Sequence, residues 1–280
     1  MERKCRKLSE FSQVEVVELL NDVFKDYVLP LSWNLDSYKK DIEENCISET
    51  DSLVCIVDGE NAGIALLAFR ESRCRIYLMG VKKKFRRAGI GFQLMDDIYE
   101  VCKWKGVKSI SLEVPAKDER AVKFYSKYGF REKRQLFSLY KRLKGIESNN
   151  NISLIEKNIG ELVSIALELQ NRFNRKPNWK SEPKHFTLLK SYESSVIRKD
   201  SEKIGYLIWG EKDKVVYLID MGPYRKHDYS ELMRNVLSYF SDFESILFPS
   251  IPEGDPIYNA SCELSFEIAL LQYEMTYKIH

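Results

Sequence analysis

The sequence predicts a mixed α/β protein, in which helices cover the faces of a mixed sheet, built as two similar halves. In the first half, apolar segments of strand length form a hairpin and then alternate with helical segments, which is typical of antiparallel strands followed by strand–helix–strand units. The second half repeats this order of elements with few identities. A polar stretch, 145–151, lies between them. We therefore expect domains over 1–144 and 152–280.

Hydrophobic periodicity assigns the elements of the first half. Apolar residues recur every fourth position from Ile90 to Cys102, which predicts a helix with one buried face. Asp58-Gly59 between two apolar runs predicts a hairpin turn. The predicted order is helices at 9–25 and 35–45, strands at 53–57, 64–69 and 76–81, the helix from residue 90, a strand at 109–114, a helix at 119–128 and a strand at 135–140.

The second half follows the same order when Gly205 is aligned with Gly63. The alternative is an unrelated second domain, since only the order of elements supports the repeat. The predicted elements of the second half are a helix at 161–173, strands at 196–198, 204–209 and 215–220, a helix at 229–240, and strands at 246–248 and 268–277.

Composition narrows the class of function. The chain has 280 residues, of which 44% are hydrophobic and 31% charged, so we expect a globular, soluble protein. A formal net charge of +2 favours neither a nucleic acid nor a membrane as partner. No run of 18 apolar residues occurs, and the charged start of the chain does not resemble a secretory signal, so we expect a cytoplasmic protein.

Potential metal ligands are scattered. The six cysteines include no C-x-x-C pair, and several lie in apolar segments where a buried free thiol is usual. The three histidines, His185, His227 and His280, are far apart in the sequence. We therefore expect no metal site.

A glycine-bearing turn joins the strand at 76–81 to the long helix. It reads Arg86-Arg87-Ala88-Gly89-Ile90-Gly91. The first backbone N–H groups of a helix have no partner within it, and the helix dipole favours an anion there. Glycine lets a ligand approach the backbone closely. The turn therefore predicts a phosphate site.

Two motifs together closely resemble the GCN5-related N-acetyltransferase (GNAT) superfamily. The first is R/Q-x-x-G-x-G/A, met by Arg86, Gly89 and Gly91. The second is A-x-x-[FL]-Y-x-K-x-G-F, met by Ala121, Phe124, Tyr125, Lys127, Gly129 and Phe130. The first motif alone is weak evidence, but both in this order, with a strand between, are specific. The resemblance covers roughly residues 8–143.

The resemblance implies acetyl-coenzyme A as co-substrate, with its pyrophosphate on the backbone amides of Arg87 to Gly91 and its pantetheine arm beside Met79, Gly80 and Val81. Lys82, Lys83, Lys84 and the two arginines would add positive potential, although surface charges are often only solvated. The family usually has Asn where this chain has Asp118. The implied cofactor-binding residues are Met79, Gly80, Val81, Arg86, Arg87, Ala88, Gly89, Ile90, Gly91, Asp118, Ala121, Phe124, Tyr125 and Lys127.

Glu113 and Tyr125 are the candidate catalytic residues. Their spacing is similar to the branch that acetylates protein N-terminal amines, where a Glu acts as general base and a Tyr as general acid. The alternatives without a catalytic role are an exposed strand carboxylate for Glu113 and core packing for Tyr125. The strand before the turn offers Arg75 and Tyr77, so a carboxylate base from that strand is not expected.

The second half resembles a degenerate copy of the same fold. Counting from Tyr217 as the partner of Tyr77, the positions of Arg86, Gly89 and Gly91 hold Lys226, Tyr229 and Glu231. The positions of Tyr125 and Gly129 hold Ser261 and Ser265. We therefore predict that this half does not bind acetyl-coenzyme A.

The function these residues favour is acetyl transfer to a primary amine by direct attack in a ternary complex. No Cys–His pair lies in the motifs, which disfavours a covalent enzyme intermediate. The acceptor could be a protein N-terminus, a lysine or a small-molecule amine. Two alternatives remain open: a non-catalytic acetyl-coenzyme A sensor or scaffold, and an acyltransferase that uses a longer acyl group. The sequence does not indicate an oligomeric state.

Overall fold

The chain divides into two compact units. The computed structural model describes residues 2–224 and 227–279. Unit 1 comprises Met1–Lys133 and Tyr273–His280, and unit 2 comprises Arg134–Gln272. The division therefore lies before the polar stretch at 145–151, where the sequence placed the end of the first domain at 144 and the start of the second at 152. Residues at the end of the chain also return to unit 1.

Helices and strands follow one another along the chain as the sequence pattern predicts, with four additional short elements, β1, β7, α6 and α8. The elements are β1 (Arg3–Lys7), α1 (Gln13–Phe24), α2 (Leu35–Glu44), β2 (Leu53–Val57), β3 (Glu60–Arg70), β4 (Arg73–Val81), α3 (Ile90–Trp104), β5 (Ser109–Pro115), α4 (Glu119–Tyr128), β6 (Arg131–Arg142), β7 (Ile152–Glu156), α5 (Ile159–Arg172), α6 (Pro183–Phe186), β8 (Glu193–Lys199), β9 (Glu202–Lys212), β10 (Val215–Pro223), α7 (Tyr229–Tyr239), β11 (Ser245–Pro252), α8 (Pro256–Glu263) and β12 (Glu267–Lys278).

The sheet of unit 1 is mixed and covered on both faces. Its strand order is β1-β2-β3-β4-β5, followed by the end of β12. Strands β1 to β4 pair antiparallel with one another, and β5 runs parallel to β4. The predicted mixed sheet is thereby confirmed.

Two apolar clusters of unit 1 lie on opposite faces of this sheet. Side chains alternate between faces along a strand, so Ala65 and Leu67 contact the cluster that contains α3. Ile64 and Leu66 contact the cluster that contains α1. The helices therefore lie on both faces of β3, which is buried on both sides.

Unit 2 repeats this architecture. Its strands are ordered from the start of β12 through β6-β11-β10-β9-β8-β7. β10 and β11 are parallel, and β7 to β10 pair antiparallel. Among the described residues, no helix is long and apolar enough to cross a membrane.

The end of β12 completes the core of unit 1. Met275 is buried in the same cluster as α3 and β5, and Tyr277 packs against Phe130 and Tyr128. The backbone N–H of Ile279 donates to the carbonyl of Lys108 at 3.0 Å. The strand predicted to close the first domain, 135–140, pairs instead with β11 of unit 2, from Leu136 with Pro252 to Arg142 with Ser245.

We predict that Met275→Ala destabilises unit 1 by about 2–5 kcal/mol, because it removes buried side-chain volume from the core. Met275 is only 2% exposed. Ile268→Ala, at a position 59% exposed on the same strand, is the matched control and should change stability by less than about 0.5 kcal/mol. Chemical denaturation followed by circular dichroism measures both. Equal effects would contradict the assignment of the end of β12 to this core.

Candidate active site

A cleft opens in unit 1 where β4 and β5 separate. The two strands pair only from Arg73 with Ser109 to Arg75 with Ser111. Beyond Arg75, β4 continues along β3 and leaves its other edge facing the cleft. Of the predicted site residues, the following line this cleft: Met79, Gly80, Val81, Arg86, Glu113, Asp118, Ala121 and Tyr125.

Two local features accompany the separation. The register between β3 and β4 shifts so that Leu66 faces Leu78 while Leu67 faces Ile76, which leaves Tyr77 in a bulge. A bulge bends its strand and increases the local twist. At Gly80, a Cβ atom would lie 2.4 Å from Cγ1 of Val23 on α1. Gly80 is therefore required by the packing of α1, a reason that the sequence pattern did not show.

The turn before α3 presents unpaired backbone amides. Gly89 is the N-cap residue, with φ of 82°, and none of the described side chains caps the helix. Arg87 has φ of 63°, so two positions of the turn are left-handed. The first helical hydrogen bond runs from Gln93 N–H to Gly89 O at 3.1 Å, so the amides before Gln93 remain outside the helical ladder. Such an alternation of amide directions forms an anion-binding concavity.

Carboxylates engage three of the five basic side chains before α3, those of Lys82, Lys84 and Arg86. Both terminal nitrogens of Arg86 donate to Asp26 at 2.6 Å, and its Nε donates to the carbonyl of Val81 at 2.9 Å. The Arg86 guanidinium holds the pKa of Asp26 below its usual value. Lys82 and Lys84 approach Glu60. The guanidinium of Arg86 thus ties the turn to the end of α1 rather than pointing outward as a free charge.

Several predicted cofactor residues lie outside the lining of the cleft and pack the turn instead. A Cβ at Gly91 would lie 3.1 Å from the ring of Phe124, so α3 and α4 approach closely there. Phe124 contacts Phe92, with ring centroids 5.1 Å apart, and Lys127 lies over the Phe92 ring. Ala88 is partly buried and Ile90 fully buried in the core below the turn.

Asp118 begins α4. It is 7% exposed, and its carboxylate accepts from the backbone N–H of Ala121 at 3.1 Å. Asp and Asn are both favoured N-cap residues, so the replacement of the usual Asn preserves the helix start. Asp118 still places a carboxylate in the lining of the cleft.

Tyr125 reaches the cleft from α4. It is 8% exposed and packs against Phe124 and Phe130. Burial, and to a smaller extent Tyr27 and Asp118, raises the pKa of Tyr125 above its ordinary value. The raised pKa keeps the proton on the Tyr125 hydroxyl group. No described residue hydrogen-bonds this hydroxyl group, so it is available as a donor.

Glu113 is largely buried, which differs from the exposed strand carboxylate that a non-catalytic role would predict. Its side chain is 11% exposed and lies 3.1 Å from the guanidinium of Arg75, itself 7% exposed. Arg75 was set aside in the sequence because it is not a carboxylate base. The structure makes it the partner of Glu113, because the two face each other where β4 and β5 begin to separate.

A second group of polar contacts lies beside the cleft. The Tyr77 hydroxyl donates to Asp41 at 3.1 Å, and Trp33 Nε1 donates to the other oxygen of Asp41 at 2.9 Å. Tyr27 lines the cleft, and burial, followed by Asp118, raises its pKa to about 12. No local motif marks Asp41, because it meets Tyr77 and Trp33 only through the packing of α1 and α2 on the sheet.

The cysteines depart from the expectation of free thiols at one place. Cys5 and Cys55, opposite each other on β1 and β2, form a disulfide, whereas Cys74 and Cys102 are buried free thiols. With Asp97, the bonded pair makes the one group of potential metal ligands found within the described ranges. Sulfurs joined in a disulfide cannot serve as thiolate ligands.

The corresponding region of unit 2 is built differently. Residues 82–89 join β4 to α3, whereas the shorter segment 224–228 joins β10 to α7. The N-terminus of α7 is capped by Asp228, whose carboxylate accepts from Glu231 N–H at 2.7 Å. Tyr229 is the first residue of α7, and Lys226 lies outside the described residues. A side-chain carboxylate thus takes the place that the open amides occupy in unit 1.

A buried ionic cluster lies beside β10 and the start of α8. Arg175 donates to Asp220 at 2.8 Å and to Asp255 at 3.1 Å, and all three side chains are at most 2% exposed. In element order, β10 and α8 correspond to β4 and α4, which border the cleft of unit 1. Ser261 is buried within α8 and donates to the carbonyl of Ile257, and Ser265 has φ of 56°, like the left-handed Gly129 after α4.

Comparison with known proteins identifies the first unit. Residues 7–138 match the family model described as the acetyltransferase (GNAT) domain. N-alpha-acetyltransferase 50 of Danio rerio is 27% identical over 140 residues, which are 49% of this chain and 79% of that protein. Residues 7–138 are therefore similar to GNAT acetyltransferase domains, and the predicted resemblance and enzyme class are confirmed.

Solved structures show the fold of the whole chain. A tandem GNAT protein from the clavulanic acid biosynthesis pathway superposes with a TM-score of 0.70 at 12% identity, over 99% of this chain and 98% of that one. A GCN5-related N-acetyltransferase from Sphaerobacter thermophilus gives 0.66 at 12% identity, over 99% and 95%. Both likenesses concern the fold alone.

We predict that Asp26→Asn weakens acetyl-coenzyme A binding roughly fivefold, because Arg86 loses the ion pair that holds the turn. Removal of a negative charge near the polyanionic cofactor would by itself strengthen binding. Weaker binding by the Asp26 variant would therefore point to the loss of the Arg86 ion pair. Glu60→Gln, which releases Lys84 without touching Arg86, is the control and should leave affinity unchanged or higher. Isothermal titration calorimetry measures both, and stronger binding by the Asp26 variant would contradict the role assigned to Arg86.

We predict that Gly89→Val abolishes acetyl-coenzyme A binding. A side chain at this left-handed position strains the turn by about 1–2 kcal/mol and obstructs its amides. Gly106→Val at the other end of α3, where φ is 68° and nothing lies within 4 Å of a Cβ, carries similar backbone strain and should retain binding. Calorimetry beside thermal denaturation separates lost binding from lost folding. Retained binding by the folded Gly89 variant would contradict the phosphate site.

Proposed function

We propose that unit 1 transfers the acetyl group of acetyl-coenzyme A to a primary amine by direct attack in a ternary complex. The observation that carries this proposal is the combination, in one GNAT domain, of an uncapped left-handed turn with an unpaired strand edge that leads to Tyr125. The open amides suit a pyrophosphate. The strand edge suits an extended amide-bearing arm such as pantetheine.

Residues of both motifs would hold acetyl-coenzyme A, which supplies an activated acetyl thioester. Backbone amides from Arg87 to Gly91 would bind the pyrophosphate, and Met79 to Val81 would pair with the pantetheine arm. Phe124 and Lys127 would act less directly, through the packing of α4 against the first turn of α3. Asp118 would serve mainly by starting α4.

Glu113 is the proposed general base. An amine must be neutral to attack a thioester, and an α-amino group with a pKa near 8 needs less help than a lysine with a pKa near 10.4. The Glu113 carboxylate, directly or through water, can accept the proton that the amine loses. Arg75 is a positioning residue, because its guanidinium fixes the direction of this carboxylate at the end of the cleft.

Tyr125 is the proposed general acid. Coenzyme A leaves as a thiolate, and a hydroxyl group in reach can protonate it or donate a hydrogen bond to it. The raised pKa of Tyr125 keeps this proton in place across the physiological range. Its buried ring holds the hydroxyl group at a fixed position in the cleft.

A protein N-terminus is the favoured acceptor, ahead of a lysine or a small amine. Support comes from the N-alpha-acetyltransferase similar to unit 1 and from the lower pKa of an α-amine. The net charge of +2 supports a peptide end or small amine rather than a nucleic acid or membrane partner. We also expect a cytoplasmic enzyme that needs no metal.

Unit 2 is proposed to be a degenerate GNAT-like copy that does not bind acetyl-coenzyme A. The capped N-terminus of α7 and the Arg175 cluster both support this proposal, because each uses a place that the cofactor would need. Each chain should then bind one molecule of acetyl-coenzyme A.

The test is release of coenzyme A from acetyl-coenzyme A with three acceptors at equal concentration. These are a peptide with a free α-amine and no lysine, the same peptide with a blocked α-amine and one lysine, and a small primary amine. We expect the first to react fastest. Binding of acetyl-coenzyme A without turnover on any acceptor would support a non-catalytic sensor or scaffold. Preference for a longer acyl-coenzyme A would support an acyltransferase that uses a longer acyl group.

We predict that Tyr125→Phe lowers kcat about 100-fold with little change in acetyl-coenzyme A affinity. Because its pKa is raised, Tyr125 keeps its proton at higher pH than an ordinary tyrosine. The wild-type rate should therefore not decline as the pH rises towards 10.0, the ordinary pKa of tyrosine. Tyr99→Phe, on α3 and absent from the cleft lining, is the control. Steady-state kinetics against pH measures all three proteins, and unchanged turnover of the Tyr125 variant would remove Tyr125 as the acid.

A further inference from the structure

Arg75 has hydrogen-bonding capacity that the described residues leave unused. Its Nε and Nη1 atoms are buried and have no hydrogen-bond partner among these residues. Nη1 lies 3.1 Å from Oε1 of Glu113, so the two groups form an ion pair that lacks the alignment of a hydrogen bond. Buried donors without acceptors are costly and rare, so this guanidinium is suited to an oxygen that a ligand supplies.

The Arg75 guanidinium lies near two residues that line the cleft, Glu113 and Tyr77. Ile76 and Leu112 pack on the cluster that contains α3, so Arg75 and Glu113 point to the opposite face of the sheet, which α1 and α2 cover. Burial raises the pKa of the Tyr77 hydroxyl group, and Arg75 and Glu113 add smaller effects of opposite sign. Arg75 therefore belongs to the inner end of the cleft, beside the proposed general base.

The short distance between Arg75 and Glu113 matches a common chemical unit. An amine that gives its proton to Glu113 must lie within hydrogen-bond reach of the carboxylate. Arg75 is then close to the carbon next to this amine, because its Nη1 is 3.1 Å from the same carboxylate. At the N-terminus of a peptide, that carbon bears a carbonyl group. A lysine side chain has no oxygen near its amine.

We propose that Arg75 donates a hydrogen bond to the carbonyl oxygen beside the acceptor amine, and thereby selects an α-aminoacyl group. This inference rests on the proposed function of unit 1, and it gives Arg75 a contact with the acceptor in addition to its effect on Glu113. Either the first amide of a peptide or the carboxylate of a free amino acid can supply the oxygen. Hydrogen bonds from a charged donor are stronger than neutral ones, so the selection is measurable.

Two isomeric peptides without lysine test the proposal with the full chain and acetyl-coenzyme A. One begins with alanine and the other with β-alanine, which moves the carbonyl group one carbon further from the amine. We expect the wild type to have a kcat/KM about tenfold or more higher for the alanine peptide. Part of this preference comes from the lower pKa of an α-amine. The preference is therefore compared between enzyme variants, because the two amines are the same for each of them.

Two substitutions of Arg75 separate contact with the acceptor from support of the base. Arg75→Met should reduce the preference for the alanine peptide about tenfold and lower both rates, because Glu113 also loses its ion pair. Arg75→Lys keeps a charge beside Glu113 and loses the planar fork. It should keep the rate with the β-alanine peptide and still reduce the preference. Arg73→Lys, on the same strand and outside the cleft lining, is the control and should change neither rate.

The outcomes distinguish this inference from the proposed function. An active Arg75→Lys variant that keeps the wild-type preference would overturn the contact and leave Arg75 only its effect on Glu113. A wild type that acetylates both peptides equally would also overturn it, whereas the proposed function would stand. No transfer to any amine would overturn the proposed function and this inference together.

Free alanine identifies the source of the oxygen. Transfer to alanine as well as to the peptide, reduced in both Arg75 variants, would support a site that accepts a carboxylate or an amide. Transfer to the peptide alone, with the same loss of preference in the variants, would support recognition of the amide carbonyl.

Discussion

The separation of β4 from β5 is the constraint on which the candidate site of unit 1 depends. Pairing stops at Arg75 and Ser111, and the lining of the cleft on both strands lies beyond that point. The unpaired edge of β4 provides peptide groups, the Arg75–Glu113 ion pair marks the inner end of the cleft, and α4 brings Tyr125 to the same space. A buried charge is stable only when it is paired, so the ion pair fits the place where the strands diverge.

The phosphate turn shows how a basic segment can use its charges for structure. Arg86 connects the turn to α1, and Lys82 and Lys84 lie near Glu60 on β3. The groups left for the proposed pyrophosphate are then the backbone amides, which stay open because Gly89 and Arg87 are left-handed. A turn held in this way loses little conformational freedom when it binds an anion, which favours affinity.

Sequence reasoning recovered what is encoded locally and missed what depends on distant pairing. Hydrophobic period and turn residues located most helices and strands, and the motifs with the family resemblance predicted eight of the eighteen residues that line the cleft. The Arg75–Glu113 pair, the Asp41 contacts and the Cys5–Cys55 disulfide each join segments far apart in sequence, so no local pattern marked them. The boundary between the two units was not predicted for the same reason, because the sequence pattern of β6 does not indicate that it pairs with β11.

The return of residues 273–280 to unit 1 also governs how this protein can be made. During synthesis, the sheet beside β5 must wait for its last strand until all of unit 2 has left the ribosome. Contacts between such distant segments raise the contact order, which slows folding. The nascent chain therefore exposes the edge of β5 until the residues after unit 2 have been made, and Met275 reaches the core of unit 1 only then.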